Sequence, residues 1–191
     1  HVSPDLDTVT YTLAEAVNPE TGWGLRGETW QAMDALDRYG TPTWFRLGDR
    51  DLGTHLHRTG RLADGAGLAE VTREVTGAWG IETIVLPMTE DPVTTMVTLD
   101  DDTPEGTEVG FQDYFVRLRH DVPVRSVRFT GAEDARPGPG VLEALSDAPT
   151  VVIAPSNPIV SIGPLLAIPG IAESLVARRS DVVAVSPIVD G

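Results

Sequence analysis

Two carboxylates stand two residues apart near the start of the chain, in Pro4-Asp5-Leu6-Asp7-Thr8. At the start of a helix such a pair can hold a divalent cation or a hydroxyl group. The plain structural alternative is an acidic first turn, which stabilises a helix by about 1 kcal/mol. A second charged knot, Arg46-Leu47-Gly48-Asp49-Arg50-Asp51, sets its charges around a glycine. The planar fork of arginine suits phosphate or carboxylate, whereas a surface turn would let these charges pair with one another to little effect. Thr89-Glu90-Asp91-Pro92 follows the apolar run Ile84-Val85-Leu86. A hydroxyl and carboxylates at a strand end suit a metal–phosphate site, and an Asp-Pro turn is the competing reading. Pro155-Ser156-Asn157-Pro158 and then Ser161-Ile162-Gly163-Pro164 follow another apolar run. Small polar residues with free backbone amides can cradle phosphate without a lysine, and a proline-stiffened connection is the alternative. His55 and His57, two residues apart on a helix, face different ways and make a poor metal pair.

Composition removes several chemistries. The chain of 191 residues contains no cysteine, so disulfides, thiolate catalysis and thiolate metal sites within it are excluded. All 14 basic residues are arginine, which excludes a P-loop or Schiff-base lysine. The net charge of −15 argues against nucleic acid, whose phosphates need clustered cations. No apolar stretch reaches the ~20 residues of a membrane span, and His1–Asp7 is not a basic-then-apolar leader. A cytoplasmic location is the expectation.

Helices must carry the first group of candidates. The pattern predicts helices over Asp5–Ala16, Arg26–Tyr39 (with Gly40 just past its end), Asp51–Leu62 and Leu68–Ala78. Residues 7–80 form a mostly helical segment and residues 81–191 a sheet-forming one. Strands are predicted at Thr83–Pro87, Met96–Leu99, Val109–Phe111 and Val124–Phe129, the middle two flanking an acidic turn from Asp100 to Glu108. Gln112–Arg119 suits a helix or an irregular lid, and Val141–Leu145 a short helix. Val151–Ala154 and Val182–Val185 are continuous apolar runs joined through a helix at Pro169–Arg179. Strand, helix, strand with apolar strands implies parallel pairing covered on both faces. Ligands in such sheets sit beyond the carboxyl ends of the strands, where Ser156 and Asn157 lie. No strand precedes Asp5 and no helix follows Val185, so an incomplete domain is expected.

Eight blocks together resemble the 2-phospho-L-lactate transferase family. They are PDLDT (4–8), GWGLRGETW (22–30), RLGDRDLGTHLHRT (46–59), LPMTEDP (86–92), FQDYFVR (111–117), GAEDARPGPGVLEAL (131–145), APSNPIVSIGPLLAIPGI (154–171) and VAVSPIV (183–189). The resemblance implies a single Rossmann-like α/β transferase domain over residues 1–191, a parallel sheet with a helical insertion. It also implies that an N-terminal strand with its Gly-rich loop, and a C-terminal part, lie outside these residues. The implied reaction moves a phospholactyl or enolpyruvyl phosphate group from a guanosine diphosphate-activated donor. The implied acceptor is the ribityl hydroxyl of 7,8-didemethyl-8-hydroxy-5-deazariboflavin, in coenzyme F-420 biosynthesis, and GMP leaves. By the resemblance, Asp7 and Arg46 contact the deazaflavin, and Asp7 with Asp5 orients or deprotonates the attacking hydroxyl. Ser156, Asn157, Ser161, Gly163 and Thr89 would line the nucleotide or phosphate side. Mg²⁺ is the implied cofactor, with Asp5, Asp7 and Asp91 as its ligands. An Asp7→Ala change should then abolish transfer and leave folding nearly intact. The alternatives are a non-catalytic, nucleotide-sugar-binding regulatory relative of the same fold and an acidic module for a basic protein partner. A homodimer stays open.

Overall fold

The computed structural model describes residues 1–102 and 106–187. The chain divides into two units, His1–Pro87 and Met88–Gly191.

The first unit is built from four helices. Helix α1 (Pro4–Leu13) opens with proline in its first turn, where the missing N–H costs nothing, and with Asp5 and Asp7 at the positive end of the helix dipole. It ends early, and Glu15 then takes a left-handed conformation at φ 54°. Helix α2 is Gln31–Arg38, α3 is Asp49–Ala63 and α4 is Leu68–Ala78. Predicted and observed bounds agree for α4. Helix α2 starts five residues later than predicted: Leu25 bridges Val17, Gly27 has φ 68°, and Asp49 accepts the first free amides at Gln31 and Ala32. Helix α4 buries Val71, Thr72, Val75 and Thr76, a stripe at helical spacing, and packs on α1 and α3. Tyr11 lies edge-on to Trp79, with ring centroids 5.7 Å apart.

The second unit holds the strands. Strand β1 (Thr94–Leu99) lies between β2 (Glu108–Gly110) and β3 (Val124–Thr130), antiparallel to both. Met96 faces Gly110 on one side and Arg128 on the other. A short π-helix, Asp113–Arg117, occupies the segment expected to be a helix or lid. Helix α5 (Val141–Asp147) precedes β4 (Val151–Ile153). After a π-helical turn at Pro158–Ile162 come α6 (Gly163–Leu166), α7 (Ile171–Ala177) and β5 (Val182–Ala184). Strands β4 and β5 pair in parallel, Val152 opposite Val183, as the apolar runs predicted. The core gathers Ala132, Ala135, Ile168 and Ile171 with Phe129, Leu142, Leu145 and Leu175 around them. Arg178 ties α7 to α5 by donating to the carbonyls of Leu145, Ser146 and Ala148.

Two expectations fail. Thr83–Pro87 pairs with no strand among the described residues, and Ile84 is 82% exposed. An apolar run makes a strand only where a neighbour supplies the ladder. Strands β4 and β5 are not covered on both faces either: Val152 is 61% and Val183 53% exposed. The acidic turn and the VAVSPIV block lie partly outside the described residues. Among the described residues no single helix is long and apolar enough to cross a membrane.

Candidate functional site

Asp7 is the buried member of the first-turn pair, and Asp5 reaches solvent. Both oxygens of Asp7 are held by Arg58 of α3: Nη1 donates to Oδ2 at 3.2 Å and Nη2 donates to Oδ1. Arg58 is 3% exposed, so this is a two-pronged pair withdrawn from water. His55, one turn earlier on α3, places Nδ1 at 3.6 Å from Asp7 Oδ2 and Nε2 at 3.2 Å from Asp51 Oδ2. Tyr11, one turn beyond Asp7 on α1, donates to Asp51 Oδ1 at 2.6 Å and accepts from the Thr54 hydroxyl at 2.9 Å. The result is a buried polar chain, Arg58–Asp7–His55–Asp51–Tyr11, joining α1 to α3.

The environment sets the protonation of its members. Burial acts to raise the Asp51 carboxyl, but the contacts from His55 and Tyr11, and the Arg58 charge, outweigh it and hold Asp51 below the ordinary range. The Tyr11 hydroxyl is raised, first by burial and then by its hydrogen bond to the Asp51 carboxylate, so it stays a donor. Asp5 is raised, first by desolvation and then by the charge of Asp7.

These positions bear on a cation. Asp5 and Asp7, two residues apart on α1, face different ways, and both oxygens of Asp7 are taken by Arg58, so of this pair Asp5 alone leaves its oxygens open to a hard ion such as Mg²⁺. Asp7, Asp51 and His55 also offer one ligand atom each within 4.8 Å of one another. There the Arg58 guanidinium already neutralises Asp7, and the imidazole suits a softer metal than Mg²⁺.

Arg46 lies in the loop before α3. Its guanidinium stands 5.1 Å from the centre of the Trp30 ring and pairs with Asp34 at 2.8 Å. Two reciprocal caps fix this loop. Glu28 accepts from the amides of Arg50 and Asp51, each at 2.9 Å, at the start of α3. Asp49 accepts from Gln31 and Ala32 at the start of α2, and from the Thr29 hydroxyl. Gly48 leaves room for the Glu28 side chain between them, since a Cβ there would lie 2.1 Å from Glu28 Cδ.

The other candidates lie in the second unit. Buried Thr89 bridges Pro137 and accepts from the Asp91 amide at 3.0 Å. Asp91 accepts from the Arg136 amide at 2.8 Å, which holds its carboxyl below the ordinary range. Asn157 caps the turn after it, accepting from Ile159 and Val160. Ser156 and Ser161 are half-buried beside it. Gly163 is a packing glycine: a Cβ there would lie 2.8 Å from Phe129 Cζ.

Arg58 and Tyr11 were not singled out from the sequence, and Asp51 and His55 were considered without being assigned to this site. The signal was present: Asp51, His55 and Arg58 recur at i, i+4 and i+7 on one face of α3, and Tyr11 follows Asp7 by four. One expectation changes. Removing the Asp7 carboxylate strands a buried guanidinium, so Asp7→Ala cannot leave folding nearly intact. His57 faces outward and pairs with Glu74 at 3.1 Å.

Parallel strands with a helical segment define a Rossmann-like α/β protein. The chain belongs to the 2-phospho-L-lactate transferase CofD family, whose sequence profile matches residues 1–191. It is 45% identical over 192 residues to a phosphoenolpyruvate transferase of Mycobacterium sp. (strain KMS), covering all of this chain and 58% of that protein. It is 47% identical over 189 residues to the phosphoenolpyruvate transferase of Streptomyces coelicolor, covering 98% of this chain and 59% of that one. This chain therefore spans less than two thirds of the length of these relatives. The fold is shared with protein BH3568 of Bacillus halodurans, of the UPF0052 family, at a TM-score of 0.60 and 22% identity over 93% of this chain and 51% of that one.

Proposed function

We propose that this chain carries the acceptor side of a phosphoryl-transfer site in coenzyme F-420 biosynthesis. The transferred group is phospholactyl or enolpyruvyl phosphate, and the names of the relatives favour enolpyruvyl. The donor is its guanosine diphosphate-activated form, and the acceptor is the ribityl hydroxyl of 7,8-didemethyl-8-hydroxy-5-deazariboflavin. The observation that carries the reading is the pairing of Asp7 by Arg58 inside a chain that belongs to this family.

The pairing separates the roles of the two first-turn carboxylates. Asp7, with both oxygens on Arg58, is a rigid anchor. Asp5, solvent-accessible and raised, is left to accept the proton. The hydroxyl oxygen bonds to the phosphorus that bears the transferred group, its proton passes to Asp5, and the bond from that phosphorus to the bridging oxygen breaks. GMP leaves with that oxygen. Asp5 would be the first-turn ligand of Mg²⁺, which when bound would neutralise charge on the phosphoryl oxygens. Arg46 meets the acceptor beside Trp30. Ser156, Asn157, Ser161, Gly163 and Thr89 serve the nucleotide or phosphate side, chiefly as loop supports, and Asp91 supports the turn before Pro92.

The test is a fluorescence titration with the deazaflavin, with and without Mg²⁺ and GDP. The proteins are this chain and its Asp7→Asn and Arg46→Ala variants. Saturable binding, weakened at least tenfold by either change, supports the acceptor site. Absence of binding by a cooperatively folding sample overturns it.

A further inference from the structure

We infer that Glu28 and Asp49 are positioning residues that, by each capping the helix next to the other, set Arg46 relative to Asp7. The inference rests on the acceptor reading above and deepens it. Glu28 follows Gly27 and precedes α2, and its two oxygens hold the Arg50 and Asp51 amides that begin α3. Asp49 begins α3, and its oxygens hold the Gln31 and Ala32 amides that begin α2. The Asp49 amide in turn donates to the Thr29 carbonyl at 2.9 Å. Each helix is thus capped from the neighbouring segment, and no residue at either N-cap does the work locally. A cap made by a distant residue fixes two elements at once, which a local cap does not.

Both ends of this clamp lead to a candidate acceptor residue. Between Thr29 and Gln31 sits Trp30, the ring over which Arg46 lies, and Asp34 on α2 holds the same guanidinium. Moving the start of α2 moves both supports of Arg46. On the other side Glu28 holds the amide of Asp51, whose carboxylate contacts His55 and Tyr11. Arg58 on the same helix holds Asp7, and His55 lies beside it with Nδ1 3.6 Å from Oδ2. Shifting the start of α3 therefore shifts the partners of Asp7. The buried Gly48 is the point of closest approach between the two segments. Glu28 and Asp49 touch neither Asp7 nor Arg46 in any contact described, so their effect passes through other residues.

The experiment compares this chain with Glu28→Ala, Glu28→Gln, Asp49→Ala and the Asp49→Ala/Arg46→Ala pair. Two measurements are made on samples that unfold cooperatively. The first is deazaflavin affinity. Glu28→Ala and Asp49→Ala each weaken it about tenfold, and Glu28→Gln, which keeps one acceptor oxygen, recovers most of the loss. The double variant binds no more weakly than Arg46→Ala alone, because a positioning residue acts through the group it positions. Wild-type affinity in both alanine variants, or additive losses in the double variant, overturns the inference. The second measurement does not depend on the ligand: the side-chain Nε–H resonances of Arg46 and Arg58, assigned by Arg→Lys replacement. Both shift in Glu28→Ala if the clamp sets these side chains, and unmoved resonances overturn it. Failure of the unaltered chain to bind deazaflavin, with both resonances shifted in Glu28→Ala, sinks the acceptor reading and leaves the clamp standing.

Discussion

Arg58 reaches across from α3 and holds both carboxylate oxygens of Asp7, 51 residues earlier on α1. The pair is 3% and 7% exposed at its side chains, so neither charge can turn to water if the other is removed. Breaking such a pair costs about 3–5 kcal/mol, because one charge is left buried and alone. We expect Asp7→Ala and Arg58→Ala each to lower stability by that order in urea unfolding. The double variant should lose less than the two losses added. Additive losses would show that the two side chains do not meet.

The hydroxyl of Tyr11 tests the far end of the polar chain. In Tyr11→Phe the ring keeps its edge contact with Trp79, but Asp51 loses a donor and the Thr54 hydroxyl an acceptor. Leaving the buried Asp51 carboxylate short of a donor costs about 1–3 kcal/mol. A fall of several degrees in thermal midpoint is expected. An unchanged midpoint would mean that Asp51 finds water instead.

How far the sequence reached can be judged from these residues. Helix α4 is legible because Val71 and Val75 recur at helical spacing and Gly80 lies just past its end. The parallel pairing of β4 with β5 is legible because both are short, continuous and apolar. The late start of α2 is not, since the residue that caps it, Asp49, is 18 positions away from Gln31. The partners of Asp7 escape for the same reason: a pattern within five residues cannot show a contact made 51 residues later. Thr83–Pro87 fails in the opposite way, because its composition is that of a strand but strand formation depends on a neighbour.

Acid should weaken the link between α2 and α3. The hydrogen bond from Thr29, and then the amides of Ala32 and Gln31, hold the Asp49 carboxyl below its ordinary value. A group depressed in the folded state contributes stability above its unfolded pKa of about 3.9 and loses it as pH falls through the folded value. Stability should therefore be insensitive to this group from neutral pH down to about 5 and decline below about 4. Asp49→Asn should flatten that decline while lowering stability at pH 7. Thermal unfolding followed between pH 3 and 7 measures both, and parallel curves for the two proteins would rule the link out.

Gly48 gives the sharpest test of the clamp as a packing feature. Its φ of −67° is open to any residue, so backbone freedom is not why glycine stands there. The obstacle is space: an added Cβ would lie 2.1 Å from Glu28 Cδ and 2.5 Å from Glu28 Oε2. In Gly48→Ala the Glu28 side chain can swing away, but only by giving up the amides of Arg50 and Asp51. Loss of a helix cap costs roughly 0.5–2 kcal/mol, and Gly48→Ala should fall in that range by urea unfolding. Once Glu28 is already alanine nothing remains for the new methyl to strike. The double variant should then be no less stable than Glu28→Ala alone, and a further loss would mean that the methyl strains the backbone and not the cap.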